Sequence, residues 1–170
     1  MVKYYNAMVV FEEIPDEITL AINITNCPCH CVGCHSKFLW EDVGTELTFE
    51  ELERLIHKNE GITCVCFMGG DANVNEINEL AKKILINSRY GNLKVGWYSG
   101  RDEISKEFDI LNFDYIKIGH YDEKLGGLDK KTTNQRLYKI EYSKETLIDI
   151  TSKFWQKDSK SGKFVKSELN

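Results

Sequence analysis

The 170 residues suffice for one domain with a real core and fall short of two ordinary ones. With 42% hydrophobic residues, 29% charged residues and only two prolines, the composition is that of a globular protein and excludes disorder over the whole chain. A formal net charge of -5 argues against a nucleic-acid binder, which normally presents a basic face.

The first twenty residues, MVKYYNAMVVFEEIPDEITL, put acidic side chains where a signal peptide needs an apolar core, and no apolar run approaches membrane-spanning length. The expectation is a cytoplasmic protein with no membrane partner. In that reducing compartment, clustered cysteines serve as metal ligands or catalytic groups more often than as disulfides.

Short apolar runs read as strands at 7–11, 19–24, 62–68, 93–98, 114–118 and 146–150, several of them apolar on both faces as in a buried parallel sheet. The link Ile14-Pro15-Asp16-Glu17 is too short for a crossover helix, so the first two strands form a hairpin. Thr48 with Glu51 three residues on predicts a capped helix running to Lys58. A second helix carries Ile77, Leu80, Ala81, Ile84 and Leu85 at the helical period, with Asn73 or Asn75 as its cap. A third is predicted over 102–110. Strands separated by such helices imply βα units and a mostly parallel sheet. From Lys153 the chain turns polar, which divides it into a domain over 1–152 and a solvated tail over 153–170.

The chemistry concentrates in TNCPCHCVGCHSKFLW, residues 25–40, where four of the six cysteines fall within eight residues. Cys27, Cys31 and Cys34 are spaced C-x-x-x-C-x-x-C directly after a strand. Three thiolates on one loop suit three irons of a [4Fe-4S] cube and leave the fourth iron open. Cys29 interrupts the pattern and competes as a ligand, so Cys29-Cys31-Cys34 is the other triad. A structural zinc usually takes two ligand pairs on separate knuckles. The remaining pair, Cys64 and Cys66, lies in an apolar strand and reads as core. His30 and His35 flank the ligands and read as exposed loop residues, His57 as a solvated helix residue and Lys37 as a solvated lysine.

The three-cysteine spacing resembles the radical S-adenosylmethionine (AdoMet, SAM) superfamily, and CPCHCVGCHSKFLW is similar to the cluster loop of the anaerobic ribonucleotide reductase activating proteins. In that family the loop ends in Gly-Cys with a Trp shortly after, matched by Gly33, Cys34 and Trp40. FMGGDA resembles the family's Gly-Gly-Asp/Glu motif, GWYSG its aromatic strand end and TTNQR its Asn-Gln-Arg element, all in the family's order. The extra Cys29 departs from the pattern. So does His120, where a proline or acidic residue is commoner.

The resemblance implies an incomplete (β/α) barrel of the radical SAM type with a mostly parallel sheet. It implies a [4Fe-4S] cluster on Cys27, Cys31 and Cys34 that reductively cleaves AdoMet, bound by Gly69, Gly70, Asp71, Ser99, Asn134 and Arg136. No catalytic side chain is expected beyond the cluster and AdoMet. The backbone at Gly69 and Gly70 allows close approach of a ligand, Asp71 orients that turn or meets the AdoMet ammonium, and Ser99 reaches its ribose or carboxylate. Asn134, Gln135 and Arg136 belong to the active site or the partner surface. The implied partner is the anaerobic ribonucleoside-triphosphate reductase, on which a glycyl radical forms, with flavodoxin or ferredoxin as electron donor and no nucleic acid. Two other readings stand beside it: a compact radical SAM enzyme acting on a small molecule, such as a deazapurine synthase, and a zinc or thiol redox protein using Cys27, Cys29, Cys31 and Cys34.

Overall fold

The computed structural model describes residues 1–106 and 108–159. Its strands are β1 (Lys3–Val10), β2 (Thr19–Ile24), β3 (Thr45–Glu46), β4 (Cys64–Met68), β5 (Lys94–Tyr98), β6 (Tyr115–Ile118), β7 (Arg136–Glu141) and β8 (Thr146–Asp149), and its α-helices are α1 (Phe49–Lys58) and α2 (Val74–Ile86). One eight-stranded sheet has the order β3-β1-β2-β4-β5-β6-β7-β8.

This corrects the expected partial (β/α) barrel. The sheet is mixed, and four of its seven ladders are antiparallel: β1 with β2, β1 with β3, β6 with β7 and β7 with β8. Parallel pairing is confined to β2, β4, β5 and β6. The physical reason lies in the connections. A parallel return needs a long crossover, which the chain supplies through α1 between β2 and β4, through α2 between β4 and β5, and through residues 99–114 with a 3-10 turn between β5 and β6. Residues 119–135 carry no helix, and β7 and β8 are joined by a tight turn at Tyr142–Glu145, where Lys144 N donates to Glu141 O and Glu145 has φ +51°. Both connections leave the next strand antiparallel.

The helix predicted over 102–110 is likewise corrected. Asp109 caps a 3-10 turn at Ile110–Asn112 instead, its Oδ1 accepting from Leu111 N at 3.0 Å. Ile104, Phe108 and Ile110 then pack individually into the core, and Glu107 lies outside the described residues. Phe108 stacks on Trp97 at 4.2 Å and on Phe113 at 4.5 Å. An aromatic truncation in such a stack costs about 3–5 kcal/mol.

Both helices form on the apolar stripes read from the sequence, but only α1 has the predicted side-chain cap: Asn73 stands at the start of α2 without a cap bond and donates through Nδ2 to Glu76 at 3.1 Å instead. Thr48 Oγ1 accepts from Glu51 N at 3.2 Å and caps α1. The Glu51 side chain turns away from the cap to Arg54 and the Tyr4 hydroxyl. Leu52, Leu55 and Ile56 of α1 and Ile77, Leu80, Ala81 and Ile84 of α2 cover one sheet face over Leu20, Ile22, Val65, Phe67, Val95 and Ile116. On the opposite face a smaller cluster joins Ile14, Cys64, Cys66, Tyr115 and Leu137, with Met68, Tyr98, Leu128 and Phe154 against it. Cys64 and Cys66 are fully buried there, and burial drives both thiols well above their ordinary range.

Beneath this second face, Glu17 is buried and accepts from Thr63 Oγ1, the Tyr115 hydroxyl and Lys94, which ties the β1–β2 link to the amino ends of the parallel strands. At the far end of the chain, a 3-10 helix at Thr151–Ser159 carries Trp155, whose indole Nε1 donates to Leu128 O at 3.1 Å. Of the predicted polar tail, residues 160–170 lie outside the described residues.

Candidate metal centre

The cysteines occupy the loop that leaves the carboxyl end of β2. Its neck is closed by backbone bonds, Asn26 N to Glu41 O at 3.1 Å and Cys27 N to Leu39 O at 3.0 Å. Thr25 Oγ1 donates to Val43 O at 2.7 Å and secures the same neck. Between those ties the chain turns through left-handed residues at Asn26, His30 and Gly33, so that Cys27, Cys29, Cys31 and Cys34 all lie half-buried and free of disulfides. Leu39 anchors the returning turn in the core. The His30 ring stacks on Trp40 at 4.6 Å.

The thiols are not equivalent. A hydrogen bond from Cys29 lowers the Cys27 thiol to about 6, and the same contact, with burial, pushes Cys29 upward. Cys34 Sγ accepts from Ser36 N at 3.3 Å, and Cys34 N donates to Cys31 O at 3.1 Å. Cys29 Sγ reaches the neighbouring strand ends, standing 3.9 Å from Asp71 Oδ2. A Cβ on Gly100 would come within 2.7 Å of that sulfur, so only glycine at 100 lets the loop seat there.

Asp71 is the hub of the adjoining loops. Its Oδ1 accepts from the Ser99 hydroxyl, its Oδ2 accepts from Gly100 N at 2.9 Å, and its carbonyl accepts from Arg101 Nη2 at 3.0 Å. Asp71 and Ser99 are both buried. Gly69 and Gly70 have φ of +108° and +99°; Gly69 O accepts from the Trp97 indole at 2.8 Å and Gly70 O from Asn73 N at 2.9 Å. A Cβ on Gly70 would meet Ile77 Cγ1 at 2.6 Å, so this glycine also lets the first turn of α2 pack against the strand end.

Asn134 and Arg136 belong to the segment that leads from β6 into β7. Asn134 Nδ2 donates to His120 O at 3.0 Å, while its buried Oδ1 has no hydrogen-bond partner. Arg136, the first residue of β7, donates through Nη1 to Thr133 O and Gln135 O, both at 2.7 Å, and its Nε lies 3.7 Å from Asp149. The structure therefore brings together the cysteine loop, Asp71 and Ser99, and holds Arg136 on carbonyls of its own loop.

Sequence reasoning passed over Lys117. This lysine in β6 is 7% exposed and donates to Gly119 O at 2.6 Å and Ser99 O at 3.1 Å. Burial lowers it to about 8, against the opposing pull of Asp71, Cys31 and Cys29. The signal was present, since a lone lysine in the apolar run Tyr115-Ile116-Lys117-Ile118 is costly unless it is paired.

Two cavities flank the loop. One of about 520 Å³ lies between Cys29–Val32 and His120–Lys124. The other, of about 550 Å³, is lined by Glu13, His35, Met68, Tyr98, Lys117 and Phe154 among others. Both match the size of small-ligand sites. His35 Nε2 and the Tyr121 hydroxyl, 3.1 Å apart, connect the cysteine loop to the segment after β6.

The model of the 4Fe-4S single cluster domain matches residues 18–141, more than two thirds of the chain. The chain belongs to that family. Neither the curated proteins nor the solved structures contain a significant match. The donor set of this 4Fe-4S single cluster domain fits its group, because four free thiols on one loop are soft ligands that suit iron–sulfur clusters. Among the described residues, no three His, Cys, Asp or Glu side chains close around one point as they would about a single ion. A cube takes one thiolate per iron and so asks for thiolates set apart. Also among the described residues, no helix is long and apolar enough to cross a membrane.

Proposed function

We propose that this 4Fe-4S protein is a radical AdoMet activase that forms a glycyl radical on the anaerobic ribonucleoside-triphosphate reductase. The observation that carries the reading is the Cys27-x-x-x-Cys31-x-x-Cys34 spacing on a loop at the carboxyl edge of β2, beside the strand ends that carry Gly69-Gly70-Asp71 and Ser99. In α/β sheets that edge is where ligands bind. When bound, a reduced [4Fe-4S] cluster supplies the electron that splits the AdoMet sulfonium, and the fragment released takes a hydrogen atom from the partner's glycine.

The chain's own residues divide the remaining work. Cys27, Cys31 and Cys34 hold three irons. Asp71 fixes Ser99 and the Gly100 amide and so sets the shape of the strand-end loops. Lys117, buried beneath them, offsets the negative charge that thiolates and Asp71 concentrate. Asn134 offers an unpaired acceptor to a ligand amine or hydroxyl. Val32 and Phe38 on the cysteine loop, with Tyr5 at 4.9 Å from Phe38, are exposed and apolar, the character of a protein-docking surface. That feature favours a protein substrate over a small molecule. Flavodoxin or ferredoxin then supplies the electron.

The test is anaerobic. Reconstituted protein, reduced with dithionite and given AdoMet, should release methionine and 5'-deoxyadenosine, and with the reductase added it should produce a glycyl-radical signal by electron paramagnetic resonance. Cleavage without a radical on any glycyl-radical enzyme would favour the small-molecule reading. A cluster that leaves AdoMet intact would overturn both. Arg136→Ala should retain uncoupled cleavage and lose most of the radical yield on the partner.

A further inference from the structure

The two outermost strands of the sheet are guarded. β3 is two residues long and carries Glu46, and β8 is four residues long, ends in Asp149 and follows Lys144 and Glu145. Short, charged edge strands resist the addition of another strand. β1 differs. It has eight residues, and β3 pairs with only two of them, Lys3 and Tyr4. Beyond the bulge between Tyr4 and Asn6, the side of β1 away from β2 meets no other strand among the described residues.

The uncovered stretch is a costly surface to leave in water. Tyr5-Asn6-Ala7-Met8-Val9-Val10-Phe11 contains no charge and no proline, and Tyr5, Met8 and Phe11 are 55%, 45% and 68% exposed. An open edge of this composition is a template for a further strand. With a net charge of -5, two copies of the chain repel one another, and this neutral strip is where they can approach. Antiparallel pairing about a two-fold axis fits its length. The regular part, Asn6–Val10, is centred on Met8, so the axis sets Met8 against Met8, Ala7 against Val9 and Asn6 against Val10. One step outward Tyr5 comes to Phe11, and beyond them Lys3 of each copy approaches Glu12 and Glu13 of the other, which places opposite charges at the rim. Parallel pairing in register would instead put lysine against lysine and glutamate against glutamate.

We propose that two copies of this chain associate edge to edge, β1 pairing antiparallel with the β1 of the second copy about a two-fold axis at Met8. The contact is isologous and makes one continuous sheet across the dimer. It requires neither the cluster nor AdoMet and stands independently of the activase reading.

Analytical ultracentrifugation of the full chain, reconstituted anaerobically, should show at micromolar concentration a species of twice the 19.7 kDa chain mass that dissociates on dilution. Met8→Lys and Met8→Asp each place like charges at the axis and should weaken association by about tenfold or more. Mixed in equal amounts the two variants should associate again, because residue 8 of one copy meets residue 8 of the other. Circular dichroism separates loss of the dimer from loss of the fold, and Val9→Lys, at another exposed position, should show the same loss and replaces either variant that fails to fold. A wild-type protein that stays monomeric, or that associates only with the reductase, overturns the inference. So does a dimer that persists in Met8→Lys and Val9→Lys, or a mixture of the Lys and Asp variants that stays monomeric.

Discussion

Asp71→Asn probes the hub on which the strand-end loops depend. The side chain keeps its shape, but one carboxylate oxygen becomes an amide nitrogen. Gly100 N donates to Oδ2 at 2.9 Å and the Ser99 hydroxyl donates to Oδ1, with Cys29 Sγ and Arg101 Nε each 3.9 Å away, so the groups around the carboxylate are donors. In the better orientation the new amide oxygen faces Gly100, and Nδ2 is left against Ser99 Oγ. That oxygen already accepts from Arg101 N at 3.0 Å. Losing one charge-assisted bond and leaving a buried donor badly paired costs about 2 kcal/mol, within the range of about 1–3 kcal/mol for such groups. With a urea dependence of about 2 kcal/mol per molar, the unfolding midpoint of the metal-free protein should fall by about 1 M. Ser99→Ala should cost less, and the double mutant should show a coupling of about 1 kcal/mol. An unchanged midpoint in Asp71→Asn, or strict additivity with Ser99→Ala, would refute the hub.

Gly70→Val combines a left-handed backbone with a clash against Ile77 Cγ1 at 2.6 Å. The two terms together cost about 2–5 kcal/mol, read as lost urea stability; a variant as stable as wild type contradicts the packing role. Lys117 is lowered to about 8 in the folded protein. The unfolded chain holds more protons between that value and the ordinary lysine pKa of about 10.4, so this group makes stability rise with pH across that window. Lys117→Met should flatten the rise, and a slope equal to wild type would show that the lysine is not desolvated. In metal-free protein, iodoacetamide should alkylate Cys27 with a midpoint near pH 6, about the value its bond from Cys29 sets. Cys29→Ala should move the midpoint up, and no movement would mean that the contact has no effect.

The parallel heart of the fold was legible because β2, β4, β5 and β6 are short apolar runs and because α1 and α2 carry clean helical stripes. The rest was hidden by connections. β7 presents Leu137 to one core cluster and Ile140 to the other, so its apolar residues fall three apart with lysine and tyrosine between them. No single face announces the strand. Residues 102–110 have helical spacing at Ile104 and Phe108, yet Asp109 favours the cap of a later turn over the interior of a helix. At the site, the cluster of cysteines on one loop was plain in the sequence, whereas the Gly-Gly-Asp turn stood out only through the family resemblance. The contact between Cys29 and Asp71, the burial of Lys117 and the pairing of His120 with Asp102 arise between segments far apart in the chain, and spacing carries no record of them.

The most direct measurement is iron and sulfide content, with Mössbauer spectra, of the anaerobically reconstituted wild-type protein and its four single Cys→Ala variants over residues 27, 29, 31 and 34. The wild type should hold about four irons per chain as a cube, Cys29→Ala should keep it, and Cys27→Ala, Cys31→Ala and Cys34→Ala should each lose it. A colourless zinc protein, or a cluster that survives Cys27→Ala and is lost in Cys29→Ala, would contradict the account.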